Sequence, residues 1–169
     1  LSWSVHIDHF TKKATTRLYF LKQLKTAGLS SSHLFHLYVT VIRPVLEYCA
    51  PVWHYALTKA QADSLEAVQK RALHIIFNLT RGMPYLLMLS YADLNSLASR
   101  REDLSRKFFL DITDPDSCLH GLLPPPRPTA VTSRLRSSQT FPKVHTRTQR
   151  FCSFIQYGLN HYQPKTSHI

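Results

Sequence analysis

Apolar side chains recur at every third or fourth position through most of the first 113 residues, and this spacing constrains the fold more than any other feature of the chain. It is the period of an α-helix that buries one face. The clearest instance runs from Ile7 to Leu24, and Gly28 follows it as the residue type that best adopts the left-handed conformation at a helix C-terminus. The pattern predicts a mainly α fold, a multi-helix bundle over residues 1–113.

A second and a third helix are predicted inside this bundle. Ser30–Ser32 offer N-caps for the second helix, and the pair Arg43-Pro44 predicts a kink or a stop in it. Thr58 and Gln61 have the spacing of a capping box for the third helix. Its expected buried face consists of apolar residues at helical spacing: Leu65, Val68, Ala72, Ile75, Ile76 and Leu79.

A fourth helix is predicted to begin at Ser90 with Asp93 in its first turn. Its expected apolar stripe consists of Leu94, Leu97, Leu104, Phe108 and Ile112. Arg101 falls on the same stripe, which is unusual for a guanidinium. We therefore expect Arg101 to be paired, to reach solvent by its stem, or to face a partner.

Prolines interrupt the helical pattern after residue 113. Asp114-Pro115-Asp116 and the prolines within 124–128 cannot continue a helix and favour extended backbone. We accordingly predict a Pro-rich linker at 114–133 and a basic, partly irregular C-terminal segment at 134–169. Apolar residues near the end allow a short strand or helix that docks: Phe151, Phe154, Ile155, Tyr157 and Leu159.

The charge balance favours an anionic partner, because 21 Lys and Arg oppose 10 Asp and Glu and leave a formal net charge of +11. Basic residues are interleaved with aromatic ones such as Tyr19 and Phe20, a combination that contacts phosphates and stacks bases. The candidate nucleic-acid-binding residues are Lys12, Lys13, Arg17, Lys22, Lys25, Lys70, Arg71, Arg100, Arg101, Arg106 and Lys107. The alternative is that these charges only solvate helical faces.

Signatures of catalysis are missing from the sequence. The chain has only 4 glycines, and it contains no glycine-rich phosphate loop, nucleophile elbow or HExxH motif. His6 and Asp8 have the spacing of part of an iron site, but they start an amphipathic helix instead of lying on barrel strands. The three cysteines, Cys49, Cys118 and Cys152, are far apart in the sequence, and we expect them to be reduced thiols. We assign no catalytic residue, metal or cofactor.

Several ordered stretches carry a resemblance to a known family. They are Trp3–Asp8, Arg17–Leu21, Ile42–Tyr48, Pro51–His54, Val68–Leu73, Arg100–Glu102, Leu122–Pro124, Arg147–Thr148 and Ser153–Ile155. Together they resemble the C-terminal thumb and post-thumb region of reverse transcriptases from non-LTR, LINE-like (jockey-like) retrotransposons. The resemblance implies a part of a longer protein whose catalytic aspartates lie upstream, so it transfers no catalytic residue to this chain.

The N-terminal part, residues 3–45, is also similar to a helical module found at the N-terminus of AlkB-like tRNA-modifying proteins. The oxidoreductase or methyltransferase activity of such proteins comes to this chain by association only. An iron triad or a cofactor loop would be needed for it, and the sequence offers only His6 and Asp8 toward one.

These observations lead to an expected function, one rival and a third interpretation, which is the AlkB-like N-terminal module. The expected function is non-catalytic binding of RNA and RNA–DNA hybrid in support of the template and primer grip of an RNA-directed DNA polymerase, whose upstream domains are the other expected partner. The rival is a structural or protein-interaction fragment that packs on those domains. No membrane-spanning stretch or signal peptide is recognised, so an intracellular location, nuclear and cytoplasmic, is expected.

Overall fold

A computed structural model of the chain describes residues 3–78, 82–128, 130, 137–143, 153–163 and 166–167. The chain divides into two compact units. Unit 1 comprises Leu1–Ala50 and Leu57–Arg101, and unit 2 comprises Pro51–Ala56 and Glu102–Ile169.

The structure is mainly helical, as predicted. The α-helices are α1 (Ser4–Thr26), α2 (Ser31–Leu37), α3 (Arg43–Glu47), α4 (Ala50–Trp53), α5 (Lys59–Phe77), α6 (Tyr85–Tyr91), α7 (Leu97–Thr113) and α8 (Phe154–His161). A π-helical turn lies at Tyr38–Ile42, and 3-10 turns lie at His54–Ala56 and His120–Leu122. The two-residue strands β1 (Ser137–Ser138) and β2 (Thr166–Ser167) pair in antiparallel fashion.

Helices α1 and α5 form the centre of unit 1. Ser4 and Gln61 are hydrogen-bonded near the two N-termini, and Lys25 donates to the last carbonyls of α5 near the two C-termini, so the helices run in the same direction. The predicted inner face of α1 is confirmed, because its apolar stripe is buried: Ile7, Phe10, Ala14, Leu18 and Leu21. Gly28 adopts a φ of +90°, as expected after this helix.

The third predicted helix is confirmed as α5, with both hydrogen bonds of the Thr58–Gln61 capping box. Four of its predicted inward residues are buried, namely Leu65, Val68, Ala72 and Ile76. Ile75 is only half-buried, and Leu79 lies outside the described residues. Gln69 and Leu73 are also buried on this face, although the sequence pattern did not select them.

The predicted interruption of the second helix is confirmed and has a specific form. Helix α2 widens into the π-helical turn at Tyr38–Ile42, and α3 then begins at Arg43. Pro44 carries no N–H, and its ring clashes with the carbonyl four residues earlier in a regular α-helix. A wider turn relieves such a clash, and π turns are the usual form of it.

The predicted start of the fourth helix is wrong. Ser90 lies inside the short helix α6, and Asp93 has a φ of +50°, so this region ends one helix instead of beginning another. Helix α7 starts later, where the Ser96 hydroxyl accepts a hydrogen bond from the Ser99 N–H at 3.1 Å. Of the predicted stripe, Leu97 and Ile112 are buried, but Leu104 and Phe108 are exposed, and Ser105 and Phe109 are buried in their place.

Unit 2 contains the predicted C-terminal docking segment as helix α8, which begins with a capping box between Ser153 and Gln156. Leu159 joins Phe109 and Phe141 in the core of the unit. A Cβ at Gly158 would lie 2.1 Å from the Phe109 ring, so the lack of a side chain there permits close packing. Phe151 lies outside the described residues.

The carboxylate of Glu102, called the Glu102 hub below, connects α7, the end of α8 and the 3-10 turn at His54–Ala56 within unit 2. Glu102 accepts hydrogen bonds from His54 Nε2 and Tyr162 Oη, each at 3.0 Å, and from Arg106 at 3.2 Å. Burial raises the pKa of Glu102, but the hydrogen bonds from His54 and Tyr162 lower it and prevail. The carboxylate form of Glu102 is therefore stabilised in the folded unit.

Candidate nucleic-acid interface

A groove on unit 1 brings basic and aromatic side chains together. It has a volume of about 570 Å³ and lies between α1 and the segment that follows α2. One wall comes from a single face of α1, with His6, His9, Phe10, Lys13 and Arg17 at helical spacing. The opposite wall consists of Thr40, Val41, Pro44, Val45 and Tyr48.

The electrostatics of the groove suit an anion. None of the described residues that line it is acidic, and its α1 wall carries the Lys13 ammonium and the Arg17 guanidinium. Lys13 is exposed, and Arg17 is half-buried. The groove can therefore hold an anionic group at its α1 wall while offering apolar surface on the other.

Arg17 also has a structural contact. Its guanidinium donates a hydrogen bond to the Val41 carbonyl inside the π-helical turn. This bond spans the groove and holds α1 against the irregular turn. Because a guanidinium has five N–H donors, the contact leaves others for a ligand.

Tyr48 places an aromatic ring on the rim of the groove. Its side chain is 64% exposed. A hydrogen bond with the Cys49 side chain raises the pKa of the Tyr48 phenol. On the α1 wall, the rings of His6 and Phe10 meet edge to face with centroids 5.0 Å apart, and the Trp3 ring, which does not line the groove, meets His6 at 5.9 Å.

The structure gives Lys25 a role within the fold. Its ammonium donates to the carbonyls of Ile75 and Ile76 and to Asn78 Oδ1, which uses all three N–H groups. A cation at a helix C-terminus also interacts favourably with the helix dipole. Lys25 therefore caps the C-terminus of α5, and none of its N–H groups is left to donate to a phosphate.

Two arginines near the start of α7 are also engaged inside unit 1. Arg100 donates to both carboxylate oxygens of Glu47, one of them at 3.1 Å. Arg101 is only 1% exposed, and burial lowers its pKa although Glu66 and Glu47 act in the opposite direction. The expectation that Arg101 could face a nucleic acid does not fit this burial, and Arg101 belongs to the interior.

The remaining candidates are exposed and are not among the residues that line the groove. Lys12 and Lys22 occupy other faces of α1, and Lys70 and Arg71 lie on the outer face of α5. In unit 2, Arg106 contacts Glu102 and stands over the Tyr162 ring at 5.0 Å from its centroid, and Lys107 is exposed. The structure thus brings only Lys13 and Arg17 of the predicted set to the groove.

The groove was not predicted, although part of its signal was present in the sequence. His6, His9, Lys13 and Arg17 are separated by three or four residues and so share a face of α1. The opposite wall carried no such signal, because the π-helical turn shifts the register of its side chains.

The structure also bears on metal sites, membrane spans, the cysteines and the basic tail. Within the described ranges, no group of three or more His, Cys, Asp or Glu side chains is placed to hold a metal ion. In the same ranges no helix is long and apolar enough to cross a membrane. Cys49 and Cys118 are free and exposed. The basic residues Arg134, Arg136, Arg147, Arg150 and Lys165 of the predicted tail lie outside the described residues.

Comparison with known proteins gives a match over the N-terminal part of the chain. A family model described as alkylated DNA repair protein alkB homolog 8, N-terminal, matches residues 3–42. The matched segment contains α1, α2 and the π-helical turn, and it confirms the similarity of the N-terminal part to the AlkB-homologue module. It does not bear on the resemblance to reverse transcriptases. No curated protein matches the chain. No solved structure matches it either.

Proposed function

We propose that this chain is a non-catalytic helical module that binds nucleic acid through its phosphate backbone. The observation that carries the proposal is the groove of unit 1, which presents Lys13 and Arg17 and has no acidic residue among the described residues of its lining. Phosphate contacts of this kind fix position on a nucleic acid and need no sequence readout. The excess of basic residues over the whole chain supports the same partner class.

The family match supports the same proposal from another direction. It covers every residue of the α1 wall of the groove, from His6 to Arg17. The matching family is named for a protein of alkylated DNA repair, and this name favours a nucleic acid as the partner. A role as an N-terminal module of an AlkB-homologue-type protein is therefore one specific form of the proposed function.

A second specific form is the accessory region of a retroelement RNA-directed DNA polymerase. It rests on the resemblance to the thumb and post-thumb region of reverse transcriptases. A thumb grips duplex by its backbone, so this form expects tight binding of RNA–DNA hybrid. The AlkB-homologue form expects a preference for structured RNA such as tRNA, and a comparison of the two ligands distinguishes the forms.

The test of the proposed function is charge reversal at Lys13. Lys13→Glu should lower affinity for hybrid and structured RNA by about tenfold, since it replaces a phosphate contact by a repulsive charge. The slope of log affinity against log salt should also become shallower by about 0.7 to 0.9 for the lost contact. Fluorescence-anisotropy titrations at several salt concentrations measure both quantities.

The matched control is Lys12→Glu, because Lys12 is the adjacent residue, has the same exposure and points away from the groove. It changes the net charge by the same amount. Equal loss of affinity in the two variants would show a diffuse charge effect and contradict a role for the groove. Absence of binding by the folded wild-type chain would favour the protein-interaction alternative, which the exposed Leu86, Leu87 and Tyr91 on α6 also suit.

A further inference from the structure

The groove of unit 1 has the form of a small-molecule site. Its volume of about 570 Å³ lies inside the range of about 300 to 1,000 Å³ for ligand pockets. Phe10, Val41, Pro44 and Val45 supply an apolar lining. A double helix keeps its bases stacked inside and would only rest on the rim of such a groove, whereas a free base could enter it.

The aromatic side chains of the groove suit a planar ring. Tyr48 lies on one wall and is 64% exposed, and His6 and Phe10 lie on the other. Successive bases of single strands stack on aromatic side chains, and the stacking tolerates any base. Tyr48 is therefore the side chain on which we expect a base to stack.

The basic side chains lie where the phosphates of such a base would be. Lys13 and Arg17 share the wall of α1 with His6 and Phe10, and they are one helical turn apart. A ligand that combines a planar base with a phosphate on each side satisfies both the apolar lining and these cations. An uncharged aromatic ligand would leave the cations without a role.

We propose that the groove holds an unpaired nucleotide of a single strand, with its base stacked on Tyr48 and its phosphates against Lys13 and Arg17. This inference rests on the proposed function and specifies its ligand. Single-stranded nucleic acid is thereby the preferred substrate of the groove, and a duplex binds only through its backbone or at an unpaired end.

The experiment uses the full chain and short fluorescein-labelled RNA oligonucleotides, as a single strand and as a blunt duplex of the same sequence. The wild-type chain should bind the single strand more tightly. Tyr48→Ala should weaken single-strand binding by at least about fivefold and leave duplex binding unchanged, while Tyr48→Phe retains the ring and the affinity. Circular dichroism verifies that each variant is folded.

Tyr19→Ala is the matched control, because Tyr19 is 60% exposed on another face of α1 and does not line the groove. It should leave binding of both RNAs unchanged. A second measurement uses a single strand that carries 2-aminopurine, whose fluorescence falls when the base stacks. The change should occur with the wild-type chain and Tyr48→Phe and be absent with Tyr48→Ala.

The outcomes separate the inference from the proposed function. If single strand and duplex bind equally and Tyr48→Ala has no effect, the inference is overturned while phosphate binding stands. An effect of Tyr19→Ala without an effect of Tyr48→Ala also overturns it, since the bases would then stack outside the groove. If the folded chain binds neither RNA at low salt, the proposed function fails, and the inference fails with it.

Discussion

The side-chain amide of Gln69 connects several elements of unit 1 although Gln69 is completely buried. Its oxygen accepts a hydrogen bond from the Tyr38 hydroxyl. Its nitrogen donates to the Tyr85 hydroxyl at 2.9 Å and to the Asn95 carbonyl at 3.0 Å. Tyr85 in turn donates to Glu66, so one amide joins the π-helical turn, α5 and α6 in a polar network.

Replacing this amide should cost stability. Gln69→Leu keeps a similar side-chain volume but leaves the buried Tyr38 hydroxyl and the Asn95 carbonyl without this partner. An unsatisfied buried polar group costs about 1 to 3 kcal/mol, so the free energy of unfolding should fall by about that amount. Urea unfolding followed by far-UV circular dichroism measures the change.

The adjacent Lys70→Leu is the control for this prediction, because Lys70 is exposed on the same helix. It should change the free energy of unfolding by no more than about 0.5 kcal/mol. Equal unfolding midpoints for the two variants would mean that the amide network contributes nothing to stability.

The fate of single basic residues was only partly predictable. In the sequence, Arg101 was unusual because it interrupts an apolar stripe. The structure accounts for its position, since Arg101 is buried with that stripe. The neighbouring carboxylates, Glu47 and Glu66, are far from it in the sequence, so no local pattern could identify them. The capping role of Lys25 had no signal in the sequence, because the carbonyls to which it donates lie 50 and 51 residues later, in another helix.

At the scale of the element, the capping box of α5 is the best predicted feature. Both of its hydrogen bonds are local, because they join Thr58 and Gln61 across one turn. Thr58→Ala removes the hydroxyl that accepts from the Gln61 N–H, and it should lower the free energy of unfolding by about 1 kcal/mol. Thermal melting followed by circular dichroism reports the loss as a lower midpoint.

Thr58→Ser is the matched variant for this cap. A serine hydroxyl can accept the same hydrogen bond, so Thr58→Ser should melt close to the wild-type chain. If Thr58→Ser and Thr58→Ala melt at the same lower temperature, the lost methyl group explains the effect and the cap does not.

Asp93 illustrates where local signals fail. The sequence offers Ser90 and Asp93 as a helix start, but the N–H groups of Asp93 and Leu94 donate to the carbonyls of Ser90 and Leu89. These bonds close the end of α6. The N-terminus of α7 depends instead on Glu66, which accepts from the N–H groups of Leu97 and Ala98. That tertiary contact decides the boundary, and it cannot be inferred from neighbouring residues.

At the scale of the whole molecule, the division into units depends on long-range contacts. The prolines after residue 113 suggested a linker at 114–133, whereas the two compact units divide within α7, between Arg101 and Glu102. Unit 2 also includes Pro51–Ala56, which is remote in sequence from the rest of the unit. Helical periodicity fixes the element class from local information, but it carries no information about which helices share a core.

The Glu102 hub gives unit 2 a dependence on pH. The pKa of Glu102 is lower in the folded chain than its ordinary value of 4.5, so its stabilising effect is complete above that value and is lost as pH falls through the folded pKa. Glu102→Gln should therefore destabilise unit 2 near pH 7, and the difference from the wild-type chain should shrink as the pH falls below 4.5. Trp53 lies in unit 2, and it is the sole tryptophan in a Trp3→Phe background, so its fluorescence during urea unfolding follows that unit.

Asp103→Asn serves as the control in the same background, because Asp103 is the next residue and is exposed. It removes the same charge from α7 without touching the hydrogen bonds from His54 and Tyr162. Its unfolding midpoint should stay close to that of the parent chain at both pH values. A gap between Glu102→Gln and the parent chain that stays constant from neutral to acid pH would contradict the argument, because a stabilising carboxylate must lose its effect when it takes up a proton.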